Sequence, residues 1–231
     1  MVRHDEFHLG NRIDLLRATV LGANDGIIST ACLILGVTAA DAQRGTIITA
    51  GIAGLVAGAA SMAIGEYVSV SAQRDAAQAD IAKETWELAH TPEHELDELT
   101  AIYVAKGLNS QLARDVAVEL TNKDALKAHL AEELGISQSN MARPLQAGVS
   151  SASSFSVGSA VPLIAVALAS STQRIETTII VAVFALVVLG VTSSTVGGVH
   201  PARPTIRIVI GGLAAMAFTM AVGRLVGAAI I

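Results

Sequence analysis

Residues 18–40 read ATVLGANDGIISTACLILGVTAA, an apolar run that is long enough to cross a bilayer and that contains one acid, Asp25. Asp25 lies about 12 Å along a helix from Arg17, at 1.5 Å per residue, which places it past the interface and within the hydrocarbon. An acid at that depth costs about 2.5–3.5 kcal/mol unless it faces a partner, a cavity or a cation. We interpret Asp25 as a residue that meets a cation.

The whole chain has the composition of a membrane protein. It has 231 residues, of which 52% are hydrophobic, and its mean hydropathy is +0.56. Windows of membrane-spanning length cover residues 18–40, 46–71, 148–170, 177–199 and 206–230. The sequence therefore predicts an all-α fold with a five-helix membrane bundle. Residues 1–71 form an N-terminal segment and the first two spans, and residues 147–231 form the last three.

A different kind of sequence, residues 72–146, separates the second span from the third. It carries 7 Lys and Arg against 13 Asp and Glu, so its net charge is about −6 while the remainder is about +1. Its pattern predicts three helices, the first continuing from the second span to about Leu88. The second opens at Thr91-Pro92 and stops near Gly107, and the third ends at Gly135 with a break near Asn122. We expect an acidic, metal-binding helical domain.

Basic residues are distributed unevenly around the spans and predict the orientation. Arg3, Arg12 and Arg17 precede the first span, and Arg203 and Arg207 lie between the fourth and fifth. The loops on the opposite side carry Arg44 and Arg174. The N-terminus and the acidic domain are therefore predicted to be cytosolic.

Small residues repeat at four-residue intervals in several spans, which lets helix backbones approach closely. This spacing supports a tightly packed bundle without identifying the partner surface of any helix. The pairs are Gly22 and Gly26, Gly54 and Gly58, and Gly223 and Gly227.

Carboxylates share helix faces in the acidic domain and are candidate metal ligands. Convergence of these faces would give an oxygen-rich pocket with one imidazole, which suits Fe2+, Mn2+ or another first-row divalent ion. The alternative is that the acids only solvate the helices and form pairs such as Glu119 with Lys123. The candidates are Asp80, Glu84 and Glu87 on the first helix, Glu95 and Glu98 on the second, and His129, Glu132 and Glu133 on the third.

Candidate residues for an ion path lie in the first two spans. Met62 and Glu66 are one helical turn apart, and a thioether beside a carboxylate suits a partly dehydrated, borderline-soft cation. Asn24 adds a neutral oxygen next to Asp25. The pattern favours passage of a metal ion through the membrane.

Several other functions are excluded or kept as alternatives. The acidic domain would repel nucleic acid, the serines lack a His and Asp arranged for hydrolysis, and no nucleotide-binding glycine loop is present. We therefore predict no enzyme activity and no permanent cofactor.

Two alternatives to transport remain. A di-iron oxidase or store would need Glu-x-x-His motifs on facing helices. A membrane-anchored sensor would bind metal without transporting it.

These motifs together resemble the vacuolar iron transporter family. The likeness rests on Asn24-Asp25-Gly26, on residues 60–67 (ASMAIGEY), on the acidic domain and on the three spans that follow. The resemblance implies a homodimer of five-helix subunits that moves Fe2+, and often Mn2+, out of the cytosol in exchange for protons. It also implies that Asp25 and Met62 line the ion path at the dimer interface. The metal-binding carboxylates it implies are Glu84, Glu87, Glu95, Glu98 and Glu133.

The chain departs from the plant members of that family at three places. Ala18 and Gly54 stand where those relatives carry acids, and His129-Leu130 stands where they carry two methionines. Glu66 replaces a glycine and would supply a substitute acid, while the harder ligands would shift preference toward Mn2+ relative to Fe2+. The closer likeness to prokaryotic members predicts the cell membrane, with a vacuolar membrane as the alternative.

Overall fold

The computed structural model describes residues 10–136 and 141–230, and in those residues the secondary structure is entirely helical. The prediction of an all-α fold is confirmed for this part of the chain. Arg3, which contributes to the predicted charge bias, lies outside the described residues. The helices are α1 (Gly10–Ala39), α2 (Arg44–His90), α3 (Pro92–Ala105), α4 (Ser110–Glu132), α5 (Pro144–Leu168), α6 (Arg174–Val196) and α7 (Ala202–Ile230).

Five of these helices, α1, α2, α5, α6 and α7, are long and apolar enough to cross a membrane. They coincide with the five windows predicted from hydropathy, so the chain is a multi-pass membrane protein. Helix α2 has 47 residues and is about 70 Å long, more than twice what the hydrocarbon needs. The apolar window accordingly fills only its first part, and the charged residues follow in its second.

The chain divides into two compact units, each with its own internal contacts. The membrane unit contains residues up to Tyr67 and from Leu145 onward, and the acidic unit is Val68–Pro144. Helix α2 contributes its first part to the membrane unit and its second part to the acidic unit. The units are described separately below.

In the membrane unit, α1 is the central helix. Its apolar face, including Ile27 and Leu35, is buried against Leu186 of α6 and Met216 of α7. Close backbone contacts with α5 and α7 occur at glycines. A Cβ on Gly26 would overlap the carbonyl of Phe155. The predicted close packing of these helices therefore has an identifiable cause.

The other predicted glycine pairs differ in what they contact. Gly223 packs on the carbonyl of Gly36, so this pair also brings two backbones together. Gly54 and Gly58 instead make room for side chains, those of Leu33 and Phe155. The side chains of Leu33 and Phe155 therefore pack directly on α2 at these two glycines.

The acidic unit has a small apolar core in which Leu99 of α3 packs with Ala117 and Ala128 of α4. Helix α3 begins at Pro92 as predicted, but the Thr91 hydroxyl donates to the carbonyl of Glu87 and makes no capping hydrogen bond. Helix α4 is interrupted at Asp124, two residues later than predicted, where φ is −170° and ψ is 88°. The Asp124 carboxylate accepts the Lys127 amide at 3.0 Å and restarts the helix.

Candidate functional site

A cavity of about 200 Å³ in the membrane unit is lined by Asp25. Gly54 and Gly58 line the cavity from α2, where the Leu33 and Phe155 side chains pack against them. Among the described residues, no Lys or Arg is paired with the Asp25 carboxylate. Asp25 is therefore an acid inside an apolar unit with no fixed positive partner. The remaining lining residues are Ser29, Thr30, Leu33, Ser61, Met62 and Phe155.

Of the other predicted path residues, Met62 lines this cavity, whereas Asn24 is not among its lining residues. Met62 lines it, so the structure brings a thioether and a carboxylate to one space. The Asn24 Oδ1 atom is buried without a hydrogen-bond partner. Asp25 and Met62 together offer carboxylate oxygen and sulfur, donor types that suit a borderline divalent cation.

Glu66 does not line the cavity but lies one helical turn from Met62. Its side chain is 16% exposed, and its Oε1 atom is 3.9 Å from the Arg17 Nη2 atom. Arg17 itself is 60% exposed at its side chain. Glu66, the second carboxylate predicted for the ion path after Asp25, therefore has the Arg17 guanidinium as a neighbour.

Two predicted ligands in the acidic unit, Glu84 and Glu133, converge around a third, His129. The imidazole is fully buried, and its Nδ1 atom lies 3.0 Å from Glu84 Oε1 and 3.2 Å from Glu133 Oε2. One ligand atom from each of these residues lies within 4.8 Å of the others. This spacing fits a single metal ion bound by two carboxylates and an imidazole.

Glu95 connects this cluster with a second one. Its Oε2 atom is 3.9 Å from His129 Nδ1, while its Oε1 atom is 3.6 Å from His94 Nδ1. His94, Glu95 and Glu98 form the second group with metal-ligating spacing. The two oxygens of one buried carboxylate therefore face two different ligand groups.

The electrostatics of the first cluster favour a cation. Burial raises the pKa of Glu84 above its usual value, and the charge of Glu133 raises it further. The His129 Nδ1 atom is hydrogen-bonded to Glu133 Oε2 and not to Glu84 Oε1, so Glu84 Oε1 and His129 Nε2 are both buried without a hydrogen-bond partner. A buried polar atom without a partner is costly, and a bound divalent ion would satisfy the carboxylate and offset the repulsion between the acids.

Three predicted ligands are not brought into either cluster. Asp80 is exposed, and Glu87 pairs with Lys83 on its own helix, at 3.3 Å from Oε1 to Nζ. Glu132 pairs with Lys106, whose hydrogen bond holds the pKa of Glu132 below its usual value. In the structure Glu133 thus lies beside His129, whereas Glu132 pairs with Lys106 at the C-terminal end of α3.

Sequence reasoning left two contributors out. His94 is not among the predicted ligands and is 77% exposed, but its Nδ1 atom lies 3.6 Å from Glu95 Oε1. Its position next to Glu95 was the available signal. Phe155 was not singled out because an apolar side chain in an apolar span carries no signal, and only helix packing places its ring against Gly58.

Comparison with known proteins agrees with this architecture. The VIT family profile matches residues 16–224. The "Vacuolar iron transporter" of Acanthamoeba castellanii is 41% identical over 211 residues, covering 91% of this chain and 78% of the relative. "Vacuolar iron transporter homolog 5" of Oryza sativa subsp. japonica is 37% identical over 222 residues, covering 96% of this chain and 85% of the relative. "Vacuolar iron transporter homolog 2.1" of Arabidopsis thaliana is 35% identical over 226 residues, covering 97% and 87%. The resemblance inferred from the motifs is confirmed, and this chain belongs to the VIT family.

Proposed function

We propose that this protein exports divalent metal ions, Fe2+ or Mn2+, from the cytosol in exchange for protons. The observation that carries the proposal is the Asp25 carboxylate, which borders a cavity in the membrane unit without a Lys or Arg partner among the described residues. Family membership and the names of the relatives support metal transport.

Exchange follows from the cost of leaving a carboxylate charged among apolar helices. Such a group is tolerated when a proton or a cation neutralises it. If metal and proton compete for Asp25, release of one on one side of the membrane favours uptake of the other. Met62 adds a sulfur ligand that favours a first-row metal over Mg2+ or Ca2+.

The acidic unit would gather ions before they enter the membrane. Glu84, His129 and Glu133 form one group, and His94 with Glu98 forms the other, with Glu95 between them. This arrangement supports binding of two ions that share the Glu95 carboxylate. Imidazole and carboxylate ligands, in place of thioethers, would shift preference toward Mn2+ relative to Fe2+.

We further propose a homodimer in the cell membrane, with a vacuolar-type membrane as the alternative, and with the N-terminus and the acidic unit in the cytosol. The charge bias of the loops supports this orientation. The exposed apolar face of α2, which includes Ile52, Val56 and Ile64, supports contact with lipid or a second subunit.

Metal flux into proteoliposomes tests the proposal, with an Asp25→Asn variant that keeps the shape of the side chain. We expect flux to fall at least about tenfold, a loss typical of weakened metal coordination, while the protein remains folded. Asp41→Asn is the matched control, because Asp41 lies beyond α1, away from the Asp25 cavity, and Asn also tolerates its positive φ of 57°. Unchanged flux in Asp25→Asn would remove Asp25 from the mechanism.

The same vesicles test proton exchange. Fe2+, Mn2+, Co2+ and Zn2+ are compared with and without an imposed pH gradient. An antiporter responds to the gradient, whereas flux that is independent of it indicates a channel or a uniporter.

A membrane-anchored sensor or store is the second candidate, and one observation favours it. Both ligand groups are complete within the acidic unit and need no residue of the membrane unit. A sensor or store would bind metal at full length yet show no flux. An oxidase would in addition consume oxygen when Fe2+ is supplied.

A further inference from the structure

The pair of Arg17 and Glu66 lies next to the cavity that contains Asp25. The Arg17 Nη2 atom is 3.9 Å from Glu66 Oε1, and the two side chains are 60% and 16% exposed. Glu66 is one turn from Met62, about 6 Å along α2, and Met62 lines the cavity. The pair is therefore about one helical turn from the candidate ion site.

Helix packing explains why Glu66 points toward Arg17. A Cβ on Gly148 would be 2.8 Å from the Ala63 carbonyl oxygen and 3.4 Å from the Tyr67 Cβ, so α5 covers the face of α2 that contains Ala63 and Tyr67. Met62 and Glu66 occupy the neighbouring stripe, one residue earlier in each turn. That stripe faces α1, where Arg17 lies.

The backbone near Arg17 is held in place, whereas the Arg17 side chain is exposed. The Thr19 hydroxyl is 2.9 Å from that of Ser150 and joins α1 to α5 at this level. Ala18, next to Arg17, is buried, with 1% exposure. Arg17 can thus leave Glu66 by rotation of its own side chain, without a helix movement.

The chemistry of the pair differs for monovalent and divalent ions. A guanidinium keeps its charge at all physiological pH values and cannot travel with the ion. At equal separation a divalent ion is attracted to a carboxylate twice as strongly as a guanidinium is. A monovalent ion is attracted to the Glu66 carboxylate no more strongly than the Arg17 guanidinium is, so it does not displace Arg17.

We propose that Arg17 is a specificity-determining residue that acts as a tethered counter-ion of Glu66, so that divalent ions displace it and K+ or Na+ do not. This inference rests on the proposed transport function. It assigns to Arg17 the exclusion of the abundant monovalent ions, and to Glu66 the first contact of the metal before Met62 and Asp25.

The test is Mn2+ flux in proteoliposomes at constant ionic strength, with K+ replaced stepwise by choline. For Arg17→Gln we expect a KM for Mn2+ that is about two- to fivefold lower, the range of an exposed ion pair, with an unchanged maximal rate. We also expect K+ to become an inhibitor. Arg17→Lys keeps the charge and should behave as the wild type.

Arg207→Gln is the matched control, because Arg207 is an exposed arginine of the same unit without an ion pair among the described residues. An equal KM change there would assign the effect to general surface charge and overturn the proposal. In a Glu66→Gln background, Arg17→Gln should have no further effect. A lower maximal rate with wild-type KM and no K+ inhibition would indicate a merely structural role and would also overturn it.

The outcomes separate this inference from the function on which it rests. If the wild type transports Mn2+ and Arg17→Gln has the same KM, maximal rate and response to K+, the role of Arg17 is refuted and the transport function is not. Absence of wild-type flux refutes the transport function, and the role of Arg17 with it.

Discussion

Replacing His129 with leucine removes the centre of the buried ligand cluster. The His129 Nδ1 atom lies 3.0 Å from Glu84 Oε1, and the Glu84 side chain is 4% exposed, so the two residues form a buried polar pair. Breaking a buried pair by removing one partner costs about 3–5 kcal/mol, because the remaining charge has no solvent. Leucine has a similar volume, so little of the cost comes from a cavity.

We expect the lower end of this range, about 3 kcal/mol, for the metal-free protein. Two features limit the loss. Glu84 can take up a proton, since burial and Glu133 raise its pKa, and Glu133 is 27% exposed and keeps contact with water. Glu95 keeps neighbours in Thr91, at 3.4 Å, and His94, at 3.6 Å.

The assay uses the single tryptophan of the chain, Trp86, which lies two residues from Glu84. Its ring stacks on His90 with centroids 4.3 Å apart, so its emission reports the local fold of the acidic unit. Full-length protein in detergent is freed of metal with a chelator and titrated with urea. The free energy of unfolding is compared between wild type and variant.

The matched control is His94→Leu, at the other end of Glu95. The His94 side chain is 77% exposed, so the free energy of unfolding should change by no more than about 0.5 kcal/mol. Added Mn2+ at a hundredfold excess over its Kd should stabilise the wild type by about 2.7 kcal/mol, and His129→Leu by less. A loss below about 1 kcal/mol in metal-free His129→Leu would refute the reasoning about the buried pair.

Three further predictions follow from single contacts. Metal affinity should fall on acidification from a pH above the ordinary glutamate value of 4.5, because the pKa of Glu84 is raised, and Glu84→Gln should flatten this dependence in calorimetric titrations. In the metal-free protein the effect of acid on stability is the opposite. Folded Glu84 keeps its proton at pH values above 4.5 where Glu84 of the unfolded chain has lost it, so acidification through these pH values should raise the free energy of unfolding of the acidic unit in urea titrations. Gly223→Ala should lower the stability of the membrane unit by about 1–3 kcal/mol in thermal unfolding, since its Cβ would overlap a backbone carbonyl, whereas Gly211→Ala, with nothing within 4 Å, should not. Glu132→Gln should leave metal affinity unchanged by calorimetry, while Glu133→Gln should lower it at least about tenfold; equal losses would return Glu132 to the ligand set.

Much of the fold could be predicted because it depends on local properties of the chain. The five spans follow from apolar length alone. The start of α3 follows from Pro92, whose fixed φ suits the first turn of a helix, and the turn after it follows from Gly107, which has a φ of 101°. None of these predictions needed a contact between distant residues.

The ligand set was only partly predictable for the opposite reason. Adjacent residues on a helix point about 100° apart, so spacing alone did not decide between Glu132 and Glu133. The choice depends on Lys106, which is distant in sequence and pairs with Glu132. The break at Asp124 also matters, because a shift of one residue in such a break rotates the following side chains by about 100° and changes which of them face α2 and α3.

By itself the sequence determined that this is a helical membrane protein with an acidic unit and with an acid, Asp25, inside an apolar span. Only the tertiary structure decided that Asp25 shares a cavity with Met62, that His129 gathers Glu84 and Glu133, and that Arg17 reaches Glu66. Hydropathy and helix length are sums over neighbouring residues and can be read along the chain. A binding site requires side chains from different helices to meet within a few ångströms, and that depends on how those helices pack.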